Sequence, residues 1–392
     1  MDIRGHVNID SDINFDGWRG YNDFVDSGYA KYCPWSERQG NKHVNGIESF
    51  WNYEKHLPQE SSIFKLRRSL DMRDTYGRTI NYLRLSITDR CNLRCRYCMP
   101  ATGVLTKECG DILHYEGLLR IVSAAVTLGV HKVRITGGEP LVRKGVHGFL
   151  QKLAALPGIE EVALTTNGLF LTEQAQALKD AGVQRLNVSL DSLQKKTFCE
   201  ITRGGSLAKV LKGLDIAEAG LKIKLHMVVM RGINEQEIVP FAALSLDRPW
   251  AVRFIEYMPT IREAHWQHEL VSGADILSLL QDNFQLESIS SGRYCGPAKP
   301  YRIAGATGSV GIITPMSDHF CGSCNRIRVT STGMAKGCLL SDNAVDLKPA
   351  LKLSNFELCQ VLRGVISNKP SQHQMGSEKN KSKPFSMASI GG

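Results

Sequence analysis

The chain has 392 residues, 42% hydrophobic and 22% charged, with a formal net charge of +9. That is globular composition, enough for one large domain or two medium ones, and with a mean hydropathy of −0.18 no apolar run is long enough to span a bilayer. Eleven cysteines are an odd number, and the opening MDIRGHVNIDSDINFDG lacks both a secretory leader and the acid-poor character of a transit peptide. A disulfide framework is therefore disfavoured. We expect a cytoplasmic protein without a membrane partner, whose basic charge faces either nucleic acid or an anionic small molecule.

In chain order, residues 1–65 are rich in aromatics, Gly, Asn and Asp and show no clean periodicity. The stretches FDGWRGYNDFVDSGY and HVNGIESFWNYEKHL resemble part of the acidic-triad (DDE-type) insertion-sequence transposases, with Asp16 and Glu48 at acidic positions of that pattern. The upstream strand with the remaining acid is missing, so this segment reads as a non-catalytic remnant or linker. From residue 66 a regular alternation begins. Strands are predicted at 80–88, 131–138, 160–168, 184–192, 222–230 and 251–258, with helices at 115–129, 145–156, 172–182, 206–220 and 235–246 between them. About six β-α units predict parallel strands with right-handed crossovers, closed only partly, as an open (βα)6 barrel over 66–260. After Met258 the pattern breaks into a helix near 274–284 and short strands such as SVGIIT (309–314). Residues 261–392 thus form a distinct C-terminal region with a polar stretch at 368–386.

Between the first strand and first helix, RCNLRCRYCM carries Cys91, Cys95 and Cys98 as C-x3-C-x2-C. Structural zinc needs four closed ligands, and no fourth stands near. A [4Fe–4S] cubane held by three thiolates keeps one iron open, and an open metal position suits catalysis. This spacing, with Tyr97 just before the last Cys, resembles the radical S-adenosylmethionine (SAM) enzymes. The resemblance implies that SAM chelates the open iron through its amino and carboxylate groups, and that reduction releases a 5′-deoxyadenosyl radical. It also assigns Tyr97, Gly138 in the GGEP turn, Ser189 at the fourth strand's end and Met258 at the sixth strand's end to SAM. All lie at C-terminal strand ends, where β/α-barrel sites gather, and glycines at such a turn permit close backbone approach.

Residues 318–340, DHFCGSCNRIRVTSTGMAKGCLL, hold a second trio, Cys321, Cys324 and Cys338. It reads as a second cubane with an open iron, or as a zinc knuckle completed by His319 or Cys359. The two trios together resemble the GTP 3′,8-cyclase family of molybdenum cofactor biosynthesis, over about 70–392. That likeness implies a radical cyclisation of GTP to (8S)-3′,8-cyclo-7,8-dihydroguanosine 5′-triphosphate, in which a hydrogen leaves ribose C3′ and the carbon radical attacks guanine C8. The second cluster would hold the guanine. Arg84, Arg134, Thr165, Lys224, Arg326, Ile327 and Arg328 are the implied GTP contacts, and Arg pairs phosphate oxygens in bidentate fashion. The Gly391–Gly392 end matches the family's double-glycine terminus. A reduced flavodoxin-like electron donor and a following cyclic pyranopterin monophosphate synthase are implied partners; a homodimer is allowed, and nucleic acid is not expected. Two positions depart from the family pattern: His226 stands where Asn is usual, and the tail lacks an arginine near Gly391. Cys33, Cys109, Cys199, Cys295 and Cys359 read as structural or incidental. The other readings are a radical SAM peptide-modifying enzyme with an auxiliary cluster, and a zinc-containing DNA-binding protein.

Overall fold

The computed structural model describes residues 72–105, 107–260, 266–290, 296–373 and 387–391. The transposase-like segment with Asp16 and Glu48, together with Cys33, Cys295 and Gly392, lies outside the described residues. All six predicted strands form: β1 (Tyr82–Ser86), β2 (Lys132–Thr136), β3 (Glu161–Thr166), β4 (Arg185–Ser189), β5 (Lys222–Val229) and β6 (Ala251–Glu256). The helices between them are α1 (Tyr115–Thr127), α2 (Val146–Ala154), α3 (Leu171–Asp180), α4 (Lys195–Thr202), α5 (Leu207–Glu218) and α6 (Ile238–Asp247). Only α4 escapes the sequence pattern, because its eight residues give barely two turns of periodicity.

The pleat explains these strands. In β1, Leu83 and Leu85 point to one face while Tyr82, Arg84 and Ser86 point to the other. Leu83, Leu85, Val133, Ile135, Leu164, Leu186, Val188, Leu225, Val252 and Phe254 are all fully buried on the helix side. Each contributes about 1.5–3 kcal/mol relative to an exposed position. The other face is polar, and it is the face that matters for function.

The C-terminal region does not stand apart from this sheet. After α7 (Gly273–Asn283) come β7 (Leu286–Ser288), β8 (Lys299–Ile303), β9 (Ser309–Ile313), β10 (Arg326–Val329), β11 (Met334–Lys336) and β12 (Val345–Asp346), followed by α8 (Asn355–Ser367) and the single-turn α9 (Met387–Ile390). The twelve strands form one sheet in the order β12-β11-β10-β1-β2-β3-β4-β5-β6-β9-β8-β7. β10 pairs parallel with β1 and β9 parallel with β6, so the C-terminal region extends the six-stranded core at both edges and leaves it open. Capping boxes start α7 (Ser272 with Asp275) and α8 (Ser354 with Glu357). The capping-box residues Ser354 and Glu357 are thus a local sequence signal for the start of α8. α8 packs on α1, where Cys359 Sγ donates to the Ala124 carbonyl at 3.6 Å.

Candidate active site

The polar face of the sheet lines a cavity of about 610 Å³, within the usual range for small-molecule sites. All six cysteines of the two trios line it, with Tyr97, Gly138, Ser189 and Met258 and with Arg84, Arg134, Thr165, Lys224, Arg326 and Arg328. Ile327 does not. Its side chain is 1% exposed and packs in the core beside Leu83, because the pleat turns it to the face opposite its two arginine neighbours. Gly391 reaches the site by its backbone: its carbonyl accepts from Arg328 Nη1 at 3.1 Å and from Thr136 Oγ1 at 3.3 Å. Its φ of +75° and the 2.5 Å separation that a Cβ would make with Thr136 both require glycine there.

The first trio sits on a loop fixed from three sides. The glycines of the GGEP turn abut the loop's own backbone: Gly138 N–H donates to the Thr88 carbonyl at 2.7 Å and Glu139 N–H to that of Arg90 at 2.8 Å. A Cβ on Gly138 would lie 2.3 Å from the Arg90 oxygen. The close approach made possible by glycine is thus first of all an approach to the cluster loop. On the second side, Arg94 and Arg96 N–H groups donate to the carbonyls of Thr202 and Ile201, at the end of α4. Arg203, with φ +54°, sends its guanidinium to the carbonyls of Arg94 and Met99 at 3.0 and 2.9 Å. On the third, Thr260 Oγ1 donates to the Tyr97 carbonyl at 2.9 Å and Met387 N–H to that of Cys98 at 3.2 Å.

Two buried carboxylates finish this half. Glu139 accepts from the Leu141 and Asn167 N–H groups and from Thr166 Oγ1 at 2.7–3.1 Å, and burial pushes it up to about 7 despite those bonds. Asp191 accepts from Tyr97 Oη at 2.8 Å and Val228 N–H at 2.9 Å; burial lifts it to about 6. Tyr97, raised well above its ordinary value by burial and by Asp191, stays a donor. Burial, with Asp191 and the neighbouring thiols, also raises Cys95, and burial pushes Cys98 up to about 12. Such thiols ionise when a metal's positive charge offsets the burial.

The second trio is set by contacts from far away in sequence. Buried Glu256, at the end of β6, accepts from the N–H groups of Gly273, Met316 and Ser317 at 2.7–3.0 Å and from Ser317 Oγ. It thereby holds the loop that leads into Cys321. Arg78, paired with Asp74 at 2.5 Å, donates to the carbonyls of Cys321, Pro370 and Ser371 at 2.7–3.0 Å. Lys369 Nζ reaches Cys324 Sγ at 3.3 Å. Burial alone would raise Cys324, but Arg326 and Lys369 outweigh it and hold the thiol down at about 6. Of the two candidate zinc ligands, Cys359 is buried in α8 against the Ala124 carbonyl, and His319 packs edge-on against His373 with its Nδ1 at 3.0 Å from the Pro315 carbonyl. Among the described residues no three His, Cys, Asp or Glu side chains converge as ligands of one metal ion do. A cubane, unlike a single ion, takes one thiolate on each of separate irons.

Between the trios lies a row of like charges. The register places Arg328 beside Arg84 and Arg84 beside Arg134, across β10, β1 and β2. Adjacent cations on one sheet face destabilise the sheet, and burial with Arg328 and Arg134 pushes Arg84 well below its ordinary value. Arg134 Nε, Thr165 Oγ1 and Tyr82 Oη are buried without a hydrogen-bond partner among the described residues. Lys224 is pressed down to about 6 by burial, helped by Arg185 and Arg253. His226 is pushed well below its ordinary value by burial and Arg134, so it faces the cavity as a neutral ring, able to donate and accept as an amide would. Arg185, Arg253 and Lys369 also line the cavity and were missed in the sequence. Arg185 shares the parity of cavity-lining Ser189 on β4, and Arg253 that of cavity-lining Ile255 on β6, so alternation could have found them; Lys369 follows a helix end and carries no such signal.

A partial parallel barrel with a three-cysteine loop after its first strand defines a radical SAM protein. The Radical SAM superfamily description matches residues 85–244, and Molybdenum Cofactor Synthesis C matches 250–375. The fold is shared with Streptococcus suis SuiB bound to S-adenosylmethionine, at a TM-score of 0.51 and 14% identity, over 89% of this chain and 78% of that one. Among curated proteins, the GTP 3′,8-cyclase of Geobacter sulfurreducens is 54% identical over 326 residues, 82% of this chain and 100% of that protein. The GTP 3′,8-cyclase of Moorella thermoacetica is 45% identical over 82% and 100%. The chain belongs to the GTP 3′,8-cyclase family. No helix among the described residues is long and apolar enough to cross a membrane.

Proposed function

We propose that this chain converts GTP to (8S)-3′,8-cyclo-7,8-dihydroguanosine 5′-triphosphate, the first step toward molybdopterin. The observation that carries the reading is the placement of both cysteine trios and the Arg328–Arg84–Arg134 row on one cavity. Cys91, Cys95 and Cys98 would hold one [4Fe–4S] cluster, and Cys321, Cys324 and Cys338 another. When bound, the first cluster with SAM supplies a 5′-deoxyadenosyl radical, and the second an open iron for the purine.

The chain's own residues bind, orient and exclude. Arg84, Arg134, Arg326 and Arg328, with Lys224, neutralise the triphosphate, and Thr165 with the Ile327 backbone completes the GTP contacts. Tyr97, Gly138, Ser189 and Met258 lie along the SAM side. Holding ribose near the radical source and guanine at the opposite trio fixes the two reacting carbons of one nucleotide in place. A flavodoxin-like donor would supply the electron, and the product would pass to a cyclic pyranopterin monophosphate synthase. In this division residues 66–260 are the SAM half, 261–392 the nucleotide half with the Gly391–Gly392 tail, and 1–65 an appendage without a catalytic role.

Anaerobic reconstitution with SAM, GTP and dithionite tests this. GTP-dependent formation of 5′-deoxyadenosine together with an isomer of GTP is the expected result. No 5′-deoxyadenosine, or its formation at the same rate without GTP, would contradict it.

A further inference from the structure

Lys369 is 3% exposed, and its ammonium meets three acceptors: Cys324 Sγ at 3.3 Å, the Arg326 carbonyl at 3.0 Å and the Gly337 carbonyl at 2.6 Å. The three acceptors fix the side-chain nitrogen in place against the Cys324 sulfur. Gly337 matters here too, because a Cβ on it would sit 3.1 Å from the Lys369 Cα. The segment that carries Lys369 is held by Arg78, which clamps the carbonyls of Pro370 and Ser371 and, on the other side, that of Cys321. One guanidinium thus fixes the lysine relative to the trio.

We propose that Lys369 is a positioning residue that raises the reduction potential of the second cluster relative to the first. The inference rests on the two-cluster reading above. An N–H bond to a ligating sulfur stabilises the reduced, more negative cluster. The first trio has a different environment: Cys91 Sγ receives the neutral backbone N–H of Leu93 at 3.4 Å, and buried Asp191 stands beside Tyr97. Electrons delivered to the protein would therefore come to rest first on the nucleotide side of the cavity.

The test is an EPR-monitored redox titration of the full chain, reconstituted anaerobically, beside Lys369→Met, Lys369→Gln and Lys369→Arg, with iron counted in each. We expect Lys369→Met and Lys369→Gln to move the second cluster's midpoint to more negative potential while the first cluster's stays put, with Lys369→Arg closest to wild type. An unmoved or raised midpoint, an equal shift in both clusters, or loss of the second cluster in all three variants would overturn the inference and leave Lys369 a structural strut. A wild-type protein with the iron of a single cluster would instead remove the two-cluster reading, and this inference with it.

Discussion

The two cysteine trios face one cavity but are built in opposite ways. The first is local: three thiols within eight residues, on a loop between β1 and α1, braced by backbone bonds to the GGEP turn and to the end of α4. The second is assembled from distance, since Cys338 lies beyond β10 and β11 and the trio is held by Glu256, Arg78 and Lys369. Their electrostatics differ as well. Asp191 and Glu139 flank the first trio, while Arg326 and Lys369 flank the second. One protein thus makes two three-cysteine sites with opposite kinds of charged neighbour; in the proposed reaction the first would take the cationic sulfonium cofactor and the second would lie beside the polyanionic nucleotide.

Removing each trio separately breaks the comparison most sharply. Cys91→Ala, Cys95→Ala and Cys98→Ala together should lose about half of the roughly eight irons and all 5′-deoxyadenosine formation. The matching triple change at Cys321, Cys324 and Cys338 should lose the other half, keep SAM cleavage by dithionite and abolish the cyclised product. Iron analysis with product chromatography reads both; equal loss of SAM cleavage in the two would deny the division of labour.

Next in size is Glu256→Ala. It would strand the buried N–H groups of Gly273, Met316 and Ser317, at a cost of about 3 kcal/mol or more. Thermal unfolding should fall accordingly, and the second cluster should be lost before the first. Arg84→Ala should then weaken GTP binding by roughly tenfold to a hundredfold, about 1.4–2.8 kcal/mol, and leave SAM binding nearly unchanged, as equilibrium dialysis would record.

Lys224 gives a pH effect of known sign. Burial depresses its folded value to about 6, so the empty site holds it mostly neutral at pH 7.5, and the unfolded chain binds the extra proton. The empty protein therefore gains stability from this group as pH rises above about 6 toward the unfolded value. Binding a triphosphate favours the charged form again and takes up a proton, so GTP affinity should fall as pH rises above about 6, by at most about tenfold per unit. Calorimetry in buffers of different ionisation heat should detect that uptake, and Lys224→Met should remove it. The smallest effect belongs to Cys359→Ala, which should leave the iron content intact because this thiol faces α1 rather than the cavity.

What was legible follows from the same contrast. The six parallel strands and the first trio announce themselves through short-range pattern, and period-2 alternation placed Arg84, Arg134 and Lys224 on one face. Ile327 shows the same rule working against its expected role, since it lies between two cavity-lining arginines and its side chain must point away. The pairing of β10 with β1 could not be read, because four residues, RIRV, carry too little periodicity to choose a neighbour. Without that pairing the Arg328–Arg84–Arg134 row stays hidden, although each arginine is visible singly. Lys369 and the Asp74–Arg78 clamp were invisible for a related reason: only tertiary structure brings residues 74–78 to 369–371.

The central claim is that one cavity holds the radical source and the nucleotide in a geometry that exposes ribose C3′ to it. Anaerobic turnover with GTP carrying deuterium at C3′ tests this most directly. One deuterium should move into 5′-deoxyadenosine, read by mass spectrometry, and the cyclised product should lack it at C3′. Unlabelled 5′-deoxyadenosine, with the deuterium retained in the nucleotide, would contradict it.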